Sequence, residues 1–328
     1  MEMEQRKKGY LLILLAAVVY STTEVALKEL AGAFAPMQLT AERVLVGGAV
    51  LLPFALRELK ARGVKLTASD FRYFLGMGAL TVMLHMSLLQ MSLLTEDASA
   101  VAVIYSGNPV FALFFAHLLL HEPLRRSSLT ALALEVLGIL IILNPFELEM
   151  SLPGFLEILI ATICFSVYGT LSKLRVGRIG SYAVTSFNLL IGGAELLVIL
   201  LLGKLPAVAA LYERCGLTLF AAVPLTTGFT LRTTLIFLYV GTVVAGVGFL
   251  LMTKITEYTS ATEASFIYLL KPVLATALAA AVFHEAISLN RMVGIAFFLA
   301  ASLCVSVPVL REMKRQKAAE ETGRGEKA

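Results

Sequence analysis

The chain has 328 residues, 58% hydrophobic and 15% charged, with a mean hydropathy of +0.85 and a formal charge of +4. A soluble domain carries about a quarter charged residues, so a soluble globular protein is excluded, and apolar runs of ~20 residues recur along the whole length. The charge gives no ground for a nucleic-acid partner, because the basic residues are scattered through short connections and tails.

Residues 1–8 are basic and precede an apolar run, as in a secretion signal. The run continues past twenty residues without a small-x-small cleavage site, so it reads as an uncleaved first span. Ten spans are expected, roughly 10–31, 38–56, 71–92, 98–119, 127–144, 153–173, 181–203, 233–256, 260–283 and 288–308. Span one carries Glu24 in its outer half, one turn from both Tyr20 and Lys28. Arg43 lies about five residues into span two, and span three holds His85. Span four holds Tyr105, Asn108 and Pro109 and ends on Glu122; span six holds Tyr168. Asn188 and Glu195 follow in span seven, Tyr268, Lys271 and Pro272 in span nine, which ends on Glu285. The connection 204–232 is amphipathic and suits a short interfacial helix, and the tail 311–328 is charged. Cys164, Cys215 and Cys304 lie far apart, without the spacing of a disulfide framework or metal site.

The chain repeats itself. Ala98–Glu122 lies over Ala261–Glu285 without a gap, an offset of 163, and nine of the 25 positions are identical. Each copy holds Tyr-x-x-polar-Pro at its middle and closes on His-Glu. A second block, Leu45–Ala49, matches Leu190–Ala194 at an offset of 145. Five spans per half is an odd number, so the second half must insert upside down. Such inverted repeats give two nearly equivalent conformations, the basis of alternating access. With the N-terminus in the cytoplasm, 20 basic residues fall inside and five outside, which places both termini in the cytoplasm. The expected fold is an all-α membrane protein of ten spans in two inverted five-helix repeats, 9–145 and 153–310.

The spacing Pro-x(12)-Glu (Pro109 to Glu122, Pro272 to Glu285), Arg43 within Leu39-Thr40-Ala41-Glu42-Arg43, and the Val293-Gly294 opening of span ten together resemble the drug/metabolite transporter superfamily. The resemblance, over nearly all of residues 9–310, is to its ten-span members with two EamA domains. It implies transport of a small metabolite or drug, with export the commoner direction.

Each candidate residue has two readings. Pro109 and Pro272 free the carbonyls of Tyr105 and Tyr268, which suits kinked helices lining an aqueous cavity or plain packing. Tyr105 and Asn108, and likewise Tyr268 and Lys271, share a helix face. Lys271 lies ~16 Å into its span, near the midplane, where a charge requires water, a counter-charge or a substrate anion; Glu24 is the expected partner of a structural pair. Arg43 either snorkels outward or grips a carboxylate with both prongs. Glu24 or Glu195 could carry a coupling proton. His85 reads as a core or cavity histidine, and Tyr168 and Asn188 as cavity candidates. Glu122 and Glu285 read as solvated helix-end charges, and the glycines of the 45–49 and 190–194 blocks as packing faces. His117-x-x-x-His121 has metal-ligand spacing, but no third ligand is evident, so neither metal nor cofactor is expected.

Only two aspartates, Asp70 and Asp97, and no His-Glu-x-x-His, Walker A or Ser/His arrangement are found, which argues against an intramembrane enzyme or an ATP-driven pump. A scaffold would have no use for Lys271, Glu24 and Glu195. The expected function is a secondary transporter of a carboxylate-bearing metabolite such as an amino acid, acting as a monomer in the cell membrane, with a proton as candidate coupling ion. The alternative is efflux of hydrophobic cationic drugs.

Overall fold

The computed structural model describes residues 2–30, 32–96, 98–143, 151–283, 289–290, 292–301, 303, 304 and 307. Among the described residues, all regular structure is helical. Six stretches are long and apolar enough to cross a membrane: Pro36–Arg62, Ala68–Thr95, Val103–Leu120, Leu152–Ile179, Ser181–Leu202 and Leu231–Tyr258. Shorter apolar helices occur at Lys8–Ser21 and Met292–Ala301.

In chain order the helices begin with α1 (Glu2–Ser21), α2 (Thr23–Leu30) and α3 (Pro36–Arg62). Proline opens α3, where a missing amide costs nothing, and Gly63 ends it in the left-handed region at φ 65°. Next comes α4 (Ala68–Gly78), which runs through a π-helical segment, π1 (Ala79–Met86), into α5 (Ser87–Thr95). Then follow α6 (Ala98–Ser106), α7 (Asn108–Leu120), α8 (Arg126–Leu143), α9 (Leu152–Ile179) and α10 (Ser181–Leu202). The long connection forms α11 (Pro206–Arg214), which has no buried residue. The last series is α12 (Leu231–Tyr239), π2 (Val240–Gly248), α13 (Phe249–Tyr258), α14 (Ala261–Ser265) and α15 (Ile267–Phe283).

Three expected spans are not single helices. Span one breaks at Thr22, whose hydroxyl donates to the Val19 carbonyl at 2.7 Å and lies 2.6 Å from Tyr239 Oη. Span four breaks at Gly107, and span nine at Phe266. Pro109 therefore does not stand inside a continuous helix, whereas Pro272 does. Pro109 stands in the first turn of α7, where proline is tolerated, and Pro272 lies within α15, six residues beyond its break. At Pro109 the physical reason is that proline removes the hydrogen bond to the Tyr105 carbonyl, so the interruption falls on its N-terminal side.

The duplication is visible as a two-fold relation. A β-carbon on Gly48 of α3 would meet Leu190 of α10, and one on Gly193 would meet Leu45. Those four residues are repeat mates contacting reciprocally, which is the signature of a two-fold axis. Stepping three residues back along α3 steps three forward along α10, so the equivalent helices run antiparallel. The same exchange recurs one layer out: Gly47 abuts Gly241 and Gly246 of π2, while its mate Gly192 abuts Gly78 of α4. Small residues admit these backbones to van der Waals contact, the main source of helix association in lipid.

Candidate solute-binding site

Six aromatic rings and a histidine meet where the broken and π-helical spans converge. Phe165 of α9 stands between Tyr105 (5.7 Å between centroids), Tyr268 (5.8 Å), Phe249 (5.9 Å) and Tyr168 (6.0 Å). Tyr20 of α1 closes the ring of contacts against Tyr268 and Phe249. His85, in π1, stacks on Tyr105, and its Nε2 lies 3.0 Å from Tyr105 Oη while Nδ1 lies 3.1 Å from the Thr81 carbonyl.

Two cations reach this cluster. Lys271, 5% exposed, holds its ammonium 5.4 Å from the centre of the Tyr105 ring, within cation–π range. Arg43, 6% exposed, is turned inward rather than outward, and its charge acts on both Tyr105 and His85. The Ser21 hydroxyl, at the end of α1, bonds the carbonyls of Ala17 (2.6 Å) and Lys271 (3.4 Å), tying the break in span one to span nine.

Asn108, beside the span-four break, donates to Ser166 Oγ at 2.6 Å, and Ser166 in turn donates to the carbonyls of Thr162 (2.9 Å) and Asn108 (3.3 Å). Buried polar atoms are ordinarily hydrogen-bonded. Here Tyr20 Oη, Tyr168 Oη, Asn108 Oδ1, both amide atoms of Asn188, Arg43 Nε and Thr81 Oγ1 are buried without a hydrogen bond among the described residues. Tyr168 Oη lies near Asn188, Ser172 and Thr253 without a well-formed bond to any of them. So dense a set of unsatisfied donors and acceptors around an aromatic cluster is what a polar guest requires.

The structure thus brings together Arg43, His85, Tyr105, Tyr168, Asn188, Tyr268 and Lys271, with Asn108 alongside. Glu195 is not part of this group: it is half-buried on α10, its Oε2 against Gly78 of α4. Glu24 belongs to α2 by its backbone; its side chain, that of Pro272, and Glu285 altogether lie outside the described residues, as does the expected Glu24–Lys271 pair.

Glu122 is not a solvated helix-end charge. Its carboxylate crosses to the other repeat and accepts from the amides of Ala261 (3.0 Å) and Thr262 (3.3 Å) and from Thr262 Oγ1 (2.8 Å). It caps α14, five residues all buried, whose Glu263 also receives the Tyr10 hydroxyl at 2.7 Å. A carboxylate at a helix N-terminus meets both orphan amides and the positive end of the dipole. Glu122→Ala is expected to cost about 1–2 kcal/mol, and Glu122→Gln, which still presents an oxygen, about half of that. Thermal unfolding in detergent measures both; equal stability of all three proteins refutes the cap. Lys173 of α9 secures the neighbouring end of α13, donating to the carbonyls of Thr256 and Thr259.

The His117 and His121 spacing does not survive folding. His121 leaves the helix in the left-handed region at φ 54°, and His117 Nδ1 lies 2.9 Å from the Glu122 carbonyl. Among the described residues, no group of three or more His, Cys, Asp or Glu is placed to hold a metal.

Three features escaped the sequence reading. Tyr20 and Phe165 are repeat mates, and that correspondence was a signal that both belong to the site. Glu135, the lone carboxylate in the apolar run of α8, was visible but unweighed beside Glu24 and Glu195. The π segments leave no trace in hydropathy.

The profile of the EamA-like transporter family matches residues 7–144 and 152–307. An uncharacterised transporter of Clostridium kluyveri is 32% identical over 306 residues, covering 90% of this chain and 92% of its own. A second, of Archaeoglobus fulgidus, is 25% identical over 298 residues, covering 90% and 95%. A crystal structure 19% identical shares the fold, with a TM-score of 0.70 over 93% of this chain and 98% of the other. The relatives are transporters rather than enzymes. With both repeats matched across nearly its whole length, this chain is a multi-pass membrane protein of the EamA-like transporter family.

Proposed function

We propose that the chain is a secondary transporter that exports a small carboxylate-bearing metabolite, such as an amino acid, across the cell membrane. It would do so as a ten-span monomer of two inverted repeats (9–145 and 153–310) with both termini in the cytoplasm. One observation carries the reading: two cations buried within the spans, Arg43 and Lys271, both bear on Tyr105, the tyrosine that His85 stacks against. An anion entering beside both cations is attracted by each, and Arg43 can meet a carboxylate with two parallel bonds. The rings then flank the body of the solute, and the amide of Asn188 with Tyr168 Oη suits an amine or hydroxyl.

Alternating access requires that each side open in turn. On the proposed orientation, the cytoplasmic end is the one held by the Glu122 cap, by Lys173 on α13, and by Arg62 bridging Glu58 and Glu257 across the repeats. The far end holds a cavity of about 240 Å³ between Met91, Leu94, Thr95, Glu157 and residues 216–220. Leu219 and Phe220, which line it, also pack against the hydrophobic core in which the aromatic cluster sits. The arrangement corresponds to a state latched inside, with a vestibule outside.

The test is thermal stabilisation of the purified protein by amino acids, simple carboxylates and amphipathic cations. A solute at a hundred times its Kd stabilises by ~2.7 kcal/mol. Carboxylates are expected to stabilise, and Lys271→Ala to lower the apparent affinity at least ~10-fold, or ~1.4 kcal/mol. Stabilisation by cations alone, untouched by Lys271→Ala, would replace this reading with drug efflux.

A further inference from the structure

Glu135 lies near the middle of α8, its side chain wholly buried, and among the described residues neither carboxylate oxygen has a hydrogen-bond partner. It lines a cavity of about 10 Å³ with Pro109, Ser128, Thr262, Phe266 and four aliphatic residues, room for about one water. None of those companions can titrate. An ionised carboxylate without a counter-charge or donor is the costliest group a protein interior can hold, and such a group takes a proton instead.

Among the described residues, the surrounding elements supply no counter-charge. On α6, Tyr105 is engaged with His85; on α7, His117 faces the Glu122 carbonyl. The Glu122 carboxylate reaches Thr262 and would repel rather than neutralise a second anion. On α14, Glu263 receives Tyr10, and on α15 Lys271 lies over the Tyr105 ring. The helix Met292–Ala301, packed on Gly138 of α8, contributes no titratable group, and beyond it Cys304 packs against the cluster of Ala131, Leu269 and Ala301. On α8 itself the charged residue is Arg126, nine residues or ~13 Å along the axis from Glu135.

The position carries the argument further. Pro109 stands just past the break in span four, and Phe266 is the break in span nine. Both line the cavity, so movement of either half-helix changes its size and its access to water. Ser128, two turns from Glu135 on the same face, marks the end nearest Arg126. The repeat mate of Glu135 is Phe298, so the fold itself does not demand a carboxyl here.

We infer that Glu135 is a proton-binding site of this transporter, filled in the present conformation and exchanging with solution when the helix breaks shift. The inference rests on the reading of the chain as an alternating-access carrier, but its test needs no solute, so the two can fail separately.

The experiment is infrared spectroscopy of the full-length protein in lipid, following the carbonyl stretch of protonated carboxylic acids. At neutral pH the wild type is expected to show a band that is missing from Glu135→Gln, and to lose it reversibly as the pH is raised. Identical spectra of the two proteins would mean an ionised Glu135 and overturn the proposal. A band that persists until the protein unfolds would mean a sealed structural acid and overturn it equally. If Glu135→Gln does not fold, Glu135→Asp replaces it: a displaced band supports the assignment, and an unchanged one refutes it.

Discussion

Asp70→Ala is expected to lower the stability of this protein by about 3 kcal/mol, the scale of a broken buried ion pair. Asp70 opens α4 with its carboxylate wholly buried. Oδ2 accepts from the Thr67 amide and hydroxyl, each at 2.8 Å, and the Asp70 amide returns a bond to Thr67 Oγ1, a reciprocal capping box. Oδ1 is paired with Arg178, and Arg175 stands 3.6 Å away. Both arginines close α9, so one carboxylate fastens the third span of the first repeat to the first span of the second. Arg178 is 42% exposed and can turn to solvent once released, which limits the loss. Arg178→Ala should cost less, about 2 kcal/mol, because Arg175 remains to offset the buried charge. Thermal unfolding in detergent ranks the two, and a neutral Asp70→Ala would show the network to be ornamental.

The second large effect is expected at Gly47. A β-carbon there would lie 2.7 Å from both the Gly241 carbonyl oxygen and the Gly246 amide nitrogen. These are backbone atoms of π2, which cannot swing aside as a side chain does. Gly47→Ala must therefore part α3 from π2, at about 3 kcal/mol by the precedent of overpacked cores. Gly76 is the internal control: helical, with nothing within 4 Å of the added carbon. Gly76→Ala should gain roughly 0.5–1 kcal/mol through helix propensity. Unfolding temperatures that move together in the two variants would refute the argument from close approach.

The duplication could be read directly, because nine identities in 25 ungapped positions require no knowledge of packing. The glycine blocks were likewise legible as helix contacts, and the structure gives them their partners. The helix breaks were less so. Proline signals that a helix is disturbed, but whether the disturbance falls two residues away, as at Gly107, or six, as at Phe266, depends on what the freed carbonyls meet in the folded protein. Glu122 shows a second limit. A carboxylate at a helix end looks alike whether it faces water or another helix, and only the fold brings Ala261 and Thr262 to it. Arg43 is the same case in reverse, since five residues from a helix start permits either direction.

The two π segments bear on the history of the molecule. Moved by the offset of the sequence repeat, residues 79–86 fall on 242–249, against the observed Val240–Gly248. Their sequences share almost nothing: one carries His85 and large apolar residues, the other three glycines and four valines. A wide turn of this kind accommodates surplus residues within a helix and is uncommon enough to mark a functional position. Its presence at matching depth in two copies whose side chains have diverged is most simply inherited. The widened turn was then already present in the single ancestral half, and the gene that doubled had a specialised third helix before it had a second copy to work against.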